Sequence, residues 1–305
     1  MAAPVAEAVA SVVFTATWYS GADDVRCLAA TETLRALVAA GLPVVVVDAS
    51  PAAAVRDLLS ATGAIVSEQK AVGKKGAALR EAVAIASALP GVVAETWLCW
   101  QEPEKTDMAR HWATALDAAK DADVLVPRRE SARFAATYPI EQVHSETYGN
   151  LYLDAVARTH CDALPPLDWH FGRGRLIYFV GTPSQQLRAL ALVGRLPSAL
   201  ATLTSGPASV ARCTTPRSEP PRCPAGRQRK GEWNRAATPA AAQVVPLVHA
   251  VRKGLRLASV AVAFEAPAAM KAQEEGDVGF IEKRLAQLNS LDPLVKAAWT
   301  DSPYC

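Results

Sequence analysis

Continuous apolar runs alternate with amphipathic ones over residues 11–129. "SVVFTAT" (11–17) is a short run rich in β-formers. In "DDVRCLAATETLRALVAAG" (23–41), Val25, Leu28, Leu34, Leu37 and Val38 recur at helical spacing, and Gly41 supplies a stop. "LPVVVVDAS" (42–50) is almost wholly apolar before its aspartate, as a strand covered on both faces must be. "SPAAAVRDLLSATG" (50–63) opens with a serine cap and a proline at the first helical position, then closes on glycine.

The same rhythm continues with a strand over 64–69, a loop and helix over 73–91, and a strand over 92–100. A helix over 106–122 and a strand over 123–129 follow. This order predicts an α/β fold, a mostly parallel sheet flanked by helices. Further on, 138–158 reads as a helix and 164–181 as mixed loop and strand. Residues 246–267 read as a helix, a glycine stop and a strand. A closing helix over 277–291 carries Ile281, Leu285 and Leu288 as its apolar face.

Residues 205–243 break the pattern. They are rich in Pro, Arg, Ser and Ala and lack an apolar period, so they read as a low-complexity, disordered insertion. The expected organisation is one domain made of 11–204 and 244–299 around that insertion.

Composition narrows the classes. With 305 residues, 50% of them hydrophobic, the chain can bury a sizeable core. A net charge of +2 gives no reason to expect a nucleic-acid partner. The six cysteines, Cys27, Cys99, Cys161, Cys213, Cys223 and Cys305, form no Cys-x-x-Cys pair, which suggests a reducing, cytoplasmic setting. The N-terminal stretch lacks a basic region before its apolar run and reads as neither a secretory leader nor a transit peptide. No run approaches the roughly 18 apolar residues of a membrane span.

Ligands of such sheets lie beyond the carboxyl ends of the strands. The loop after the first strand, "TATWYSGADD", has one glycine and two aspartates, unlike a dinucleotide fingerprint. Neither a phosphate-binding Gly-x-x-x-x-Gly-Lys-Ser/Thr loop nor a Gly-x-Ser-x-Gly elbow is present. The fourth strand instead runs into Glu102-Pro103-Glu104-Lys105. Two acids at i, i+2 on an extended chain face the same way, and the residue before a proline stays extended. Hard carboxylate oxygens suit Mg²⁺ or Mn²⁺ bridging to phosphate, and an ordinary surface turn is the other reading.

With these features the chain resembles the GT-A glycosyltransferases, the nucleotide-diphospho-sugar transferase fold that includes glycosyltransferase family 2. The likeness covers roughly 11–175, with a weaker echo at 246–291. It implies that the end of the first strand (Thr15, Thr17, Tyr19) and Asp48 contact the nucleoside. It implies that the turn "GKKGAALREA", with Gly73, Lys74, Lys75, Gly76, Ala77 and Arg80, meets the diphosphate, and that Glu102-Pro103-Glu104 takes the place of the family's Asp-x-Asp metal motif. Glu102 then serves both donor and metal.

"PLDWHFG" falls where the family has an acidic motif near the acceptor. Asp168 is the candidate general base there and His170 a candidate metal ligand or phosphate donor, against a loop packed by Trp169 and Phe171. Gln142, Glu146 and Asn150 share one helical stripe, either facing acceptor hydroxyls or merely exposed. Arg128 and Arg129 either meet phosphate or pair with a carboxylate.

The expected activity is transfer of a sugar from a nucleotide-diphospho-sugar to an acceptor hydroxyl. A second reading is a catalytically weak domain of the same fold that binds or scaffolds, which the atypical 205–243 segment favours.

Overall fold

The computed structural model describes residues 8–70, 75–93, 95–162, 164–171, 173–174, 241–252 and 254–300. Its strands are β1 (Ser11–Thr17), β2 (Val44–Asp48), β3 (Ile65–Glu68), β4 (Trp97–Trp100), β5 (Val124–Arg129), β6 (Arg173–Gly174) and β7 (Leu257–Val262). Its helices are α1 (Val25–Ala39), α2 (Ala53–Ser60), α3 (Lys75–Ser87), α4 (Trp112–Ala118), α5 (Ser131–Thr137) and α6 (Ile140–Arg158). After β6 come α7 (Ala241–Arg252), α8 (Ala268–Glu274) and α9 (Val278–Thr300). The expected insertion at 205–243 lies outside the described residues except for its last three, which begin α7.

The strands form one sheet in the order β3-β2-β1-β4-β6-β5-β7. The four at one end, β3-β2-β1-β4, are all parallel, and β5 and β7 are parallel to each other. The two-residue β6 runs antiparallel to both of its neighbours. The expected α/β class with a mostly parallel sheet is thus observed.

Side chains that alternate along each strand enter different cores. Val13, Val44, Val46, Trp97 and Cys99 pack with Cys27, Leu34 and Leu37 of α1 and Val55 and Leu59 of α2. Val12, Phe14, Val45, Val47, Leu98 and Trp100 pack with Ala78, Leu79, Ala82 and Ala86 of α3 on the other face. This double covering is why β2 is apolar at every position before Asp48. At the far end Val124 and Val126 of β5 face Leu153 of α6, Leu247 and Val251 of α7, and Leu291 and Val295 of α9.

Several expected boundaries shift. The strand over 92–100 is confined to its last four residues. The helix over 106–122 is a 3₁₀ turn, Thr106–Arg110, followed by the short α4. α5 and α8, each short and lacking an apolar stripe, were not anticipated. On α1, Leu28 is 52% exposed, and the buried stripe runs instead through Cys27, Ala30, Leu34 and Leu37. The closing helix does not stop at Leu291: α9 passes through Pro293 to Thr300. A proline inside a helix costs about 3 kcal/mol. Here that cost is offset by burial of Leu291, Val295 and Ala298 beyond and before it. Ile281 and Leu285, expected on the buried face, are exposed. Among the described residues no helix is long and apolar enough to cross a membrane.

Candidate functional site

A cleft of about 640 Å³ opens at the carboxyl edge of the sheet, a size suited to a small organic ligand. Thr17 and Trp18 reach it from the end of β1, Ala49 and Gln69 from beyond β2 and β3, and Glu102–Lys105 from beyond β4. Arg26 of α1, Lys75 and Ala78 of α3, Tyr138, Gln142 and Glu146 of α6, His170, and residues around α8 and α9 also line it.

The register explains the opening. Phe14 pairs with Trp100, the last residue of β4, while β1 continues to Thr17 beside Asp48. The chain after β4 therefore turns away while its neighbour runs on. Gln101 holds that turn: its side-chain amide donates to the Lys105 carbonyl at 3.0 Å and its amide oxygen accepts from the Trp112 indole at 2.6 Å. The Lys105 amide donates back to the Glu102 carbonyl at 3.1 Å. Glu102-Pro103-Glu104 thus lies in a turn, a correction to the extended pair expected from its spacing. The proline keeps its conformation, but Lys105 closes the loop behind it.

Neither glutamate stands alone. Glu102 lies 3.6 Å from Lys75 Nζ and 3.1 Å from Lys105 Nζ through its two oxygens. Glu104 Oε1 accepts from Arg26 Nη2 at 2.7 Å and from the Tyr19 hydroxyl at 3.3 Å. Burial first, and then the Glu104 charge, push the Tyr19 phenol well above its ordinary value, so it stays protonated and donates. Burial pulls the Lys105 ammonium below its ordinary value against the opposing pull of Glu102. Its Nζ also sits 4.1 Å from the Phe171 ring centroid.

These neighbours bear on the expected Mg²⁺ or Mn²⁺. As placed, Glu102 and Glu104 are already neutralised by three cationic side chains and do not offer a divalent ion an open acidic site. His170 lines the cleft. Among the described residues no group of three His, Cys, Asp or Glu side chains could hold a metal ion.

Asp48 and Thr15 do not line the cleft. Asp48 is fully buried and ties β1 to β2. Its Oδ1 accepts from the Thr17 hydroxyl at 2.8 Å and the Ser50 hydroxyl at 2.7 Å, and its Oδ2 accepts from the Ser50 amide at 3.2 Å. The Ser50 hydroxyl oxygen in turn accepts from the Tyr19 amide at 2.9 Å. Asp48 and Tyr19 therefore shape the strand ends from below, while Thr17 and Trp18 present the surface. Thr15 is buried in the strand. Lys74 and Gly73 lie outside the described residues.

Asp168, expected as a general base, is spoken for. Arg129 Nε and Nη2 donate to its Oδ2 and Oδ1 at 2.7 and 2.9 Å, and Asn150 adds a hydrogen bond at 3.0 Å. Burial pushes the carboxyl up. The Arg129 charge and these hydrogen bonds outweigh burial and hold it well below the usual carboxylate range. A carboxylate so tightly held is a poor proton acceptor, and it does not border the cleft.

Glu146 is the other carboxylate on Arg129. Its Oε2 accepts from Arg129 Nη2 at 2.7 Å and its Oε1 from Gln142 Nε2 at 2.8 Å, and both α6 residues line the cleft. The expected polar stripe of α6 is thus buried, pointing inward, with Asn150 diverted to Asp168 and the Trp169 amide. The Arg129 guanidinium lies 3.9 Å from the Phe134 ring centroid and 5.0 Å from those of Tyr138 and Phe171. Of the two arginines ending β5, Arg129 thus pairs with carboxylates and Arg128 is exposed.

Arg26, Gln101 and Trp18 were not anticipated. Arg26 follows two aspartates and reads as their local partner, and a lone glutamine after an apolar strand carries no signal. Trp18 sat in the quoted strand-end turn, yet only its 60% exposure at the cleft marks it as a contact surface.

No protein-family model matches this chain, and no match is found among curated proteins.

Proposed function

We propose that this chain is a glycosyltransferase of the GT-A type, moving a sugar from a nucleotide-diphospho-sugar to an acceptor hydroxyl. One observation carries the reading. The residues expected at a donor diphosphate (Lys75, Glu102, Glu104) and those expected at an acceptor (Gln142, Glu146) border a single cleft at the carboxyl edge of the sheet.

In this reading the nucleoside lies at the end of β1 against Thr17 and Trp18. The diphosphate lies toward Lys75, Lys105 and Arg26. Negative charge builds on the departing diphosphate as the glycosidic bond breaks, and cations fixed there lower the barrier rather than only tightening binding. The acceptor oxygen forms the new bond to the anomeric carbon, and its proton passes to a carboxylate. Glu146 is paired with Arg129 as Asp168 is, but it borders the cleft and Asp168 does not. It is therefore the carboxylate within reach of the acceptor, and it takes that role on release from Arg129. A reducing, cytoplasmic setting suits the buried thiols of Cys27, Cys99 and Cys161.

The binding or scaffold reading draws on a specific observation as well: the carboxylates Glu102, Glu104, Glu146 and Asp168 are all engaged in internal ion pairs. Calorimetry with a panel of nucleotide-sugars, run beside an assay for nucleoside diphosphate release, separates the two. Binding with release supports the transferase, and binding without release under any acceptor supports the scaffold. A panel in which no donor binds sinks both.

A further inference from the structure

Three cations stand along the donor side of the cleft, and two carboxylates hold all of them. Arg26 comes from α1, Lys75 begins α3, and Lys105 closes the turn after β4, so three separate elements aim positive charge at one place. Lys75 and Lys105 share Glu102, and Arg26 takes Glu104. The balance of this group is one positive charge in excess, which repels a divalent cation and attracts an anion.

The two lysines have aromatic support beyond Glu102, whereas in the other pair Glu104 is the more buried partner and Arg26 the more exposed. Lys105 Nζ sits over the Phe171 ring at 4.1 Å and Lys75 Nζ over the Trp100 ring at 5.6 Å from the centroids. The Glu102 side chain, on a turn, is 32% exposed, with room to swing into water. To an ammonium or guanidinium group, a carboxylate oxygen and a phosphate oxygen are the same kind of acceptor.

We infer that Glu102 is a place-holder in the free protein, and that Lys75 and Lys105, with Arg26 beside them, bind the donor diphosphate directly, without a divalent cation. This rests on the nucleotide-sugar reading and replaces the metal expected for the acidic pair. On binding, phosphate oxygens take over the positions of the Glu102 oxygens and Glu102 turns outward, while Glu104 stays with Tyr19 and Arg26. Charged groups trade partners, so no cation is left buried and unpaired at any stage.

The test is calorimetry of the full chain with uridine and guanosine diphosphates and with inorganic pyrophosphate, in EDTA and again with Mg²⁺ or Mn²⁺. At least one diphosphate is expected to bind equally in both buffers. Lys75→Met and Lys105→Met are each expected to weaken it about tenfold. Glu102→Gln is expected to tighten it, because the place-holder is gone; a metal ligand would give the opposite sign. Binding that requires metal and is lost in Glu102→Gln overturns the inference and leaves the glycosyltransferase reading standing. Failure of every diphosphate in both buffers overturns both. If Lys105→Met does not fold, Lys75→Met and Glu102→Gln, at partly exposed positions, decide the question.

Discussion

Arg129 and Asp168 form a two-pronged ion pair, Nε to Oδ2 at 2.7 Å and Nη2 to Oδ1 at 2.9 Å, with both side chains out of contact with water. The pair joins the end of β5 to the stretch before β6. Asp168→Asn leaves Arg129 neutralised by Glu146 but weakens its hydrogen bonds to a charged acceptor, and is expected to destabilise the fold by about 1.5–3 kcal/mol, read from urea unfolding. The pH dependence has a definite sign. The folded carboxyl is held low, so its contribution is complete above the unfolded value, about 3.9, and is lost as pH falls through the folded value. The gap between wild type and Asp168→Asn should stay constant at neutral and mildly acid pH and begin to close only below about pH 4.

Thr17→Val keeps the shape of the β1 terminus but removes the hydroxyl that donates to buried Asp48. Loss of a hydrogen bond to a charged acceptor is expected to cost about 1.5–3 kcal/mol, visible as a lower Tm. Because Asp48 also fixes Ser50, and Ser50 the Tyr19 amide, nucleotide affinity should fall as well. Unchanged stability would mean that Asp48 does not tie the two strands.

Gly149 lies where α6 passes His170. A Cβ there would stand 2.7 Å from the His170 ring nitrogen Nε2 and 3.0 Å from Leu288 Cδ2. Alanine gains up to about 1 kcal/mol of helix propensity, but crowding of this kind costs about 1–3 kcal/mol, so a net loss is expected for Gly149→Ala. Thermal unfolding checks the sign. A crystal structure of the variant should show the imidazole moved relative to the cleft.

Glu146→Gln separates chemistry from donor binding. Gln keeps the shape and can still accept from Arg129, so nucleoside diphosphate affinity should hold. The rate of sugar transfer should fall roughly 10²–10⁴-fold if Glu146 takes the acceptor proton. Equal transfer rates in wild type and variant would remove Glu146 from that role.

The parallel half of the fold was legible because its code is local. Four consecutive valines before Asp48 need cover on both faces, and Gly41, at a φ of 76°, stops α1 where the pattern says it must. Other features depend on partners far away in the chain. β6 is two residues long and exists only because Trp100 and Leu125 flank it. Pro293 reads as a terminator until the core beneath α9 is known.

The site divides in the same way. Glu102 and Glu104 were singled out by their place at a strand end, and Lys75 by the likeness of its turn to a family motif; all three border the cleft. Asp168 was misplaced because the arginine that takes it lies 39 residues upstream. Composition and spacing carry no trace of such a pairing, and a buried carboxylate and a catalytic one look alike as letters.

The reversed direction of β6 has a consequence for how the cleft can change. Every other strand leaves the sheet at the carboxyl edge, whereas β6 enters there, with Arg173 opposite Trp100. His170 therefore reaches the cleft on an incoming connection, and Phe171 on the same connection packs under Lys105 at the end of β4. A change in the length of the stretch 164–171 would re-aim His170, and it would also shift Asp168 on Arg129 and Phe171 on Lys105. The wall that carries His170 is thus bound to a buried ion pair on one side and to a lysine of the cleft on the other, so the two halves of the pocket change shape together.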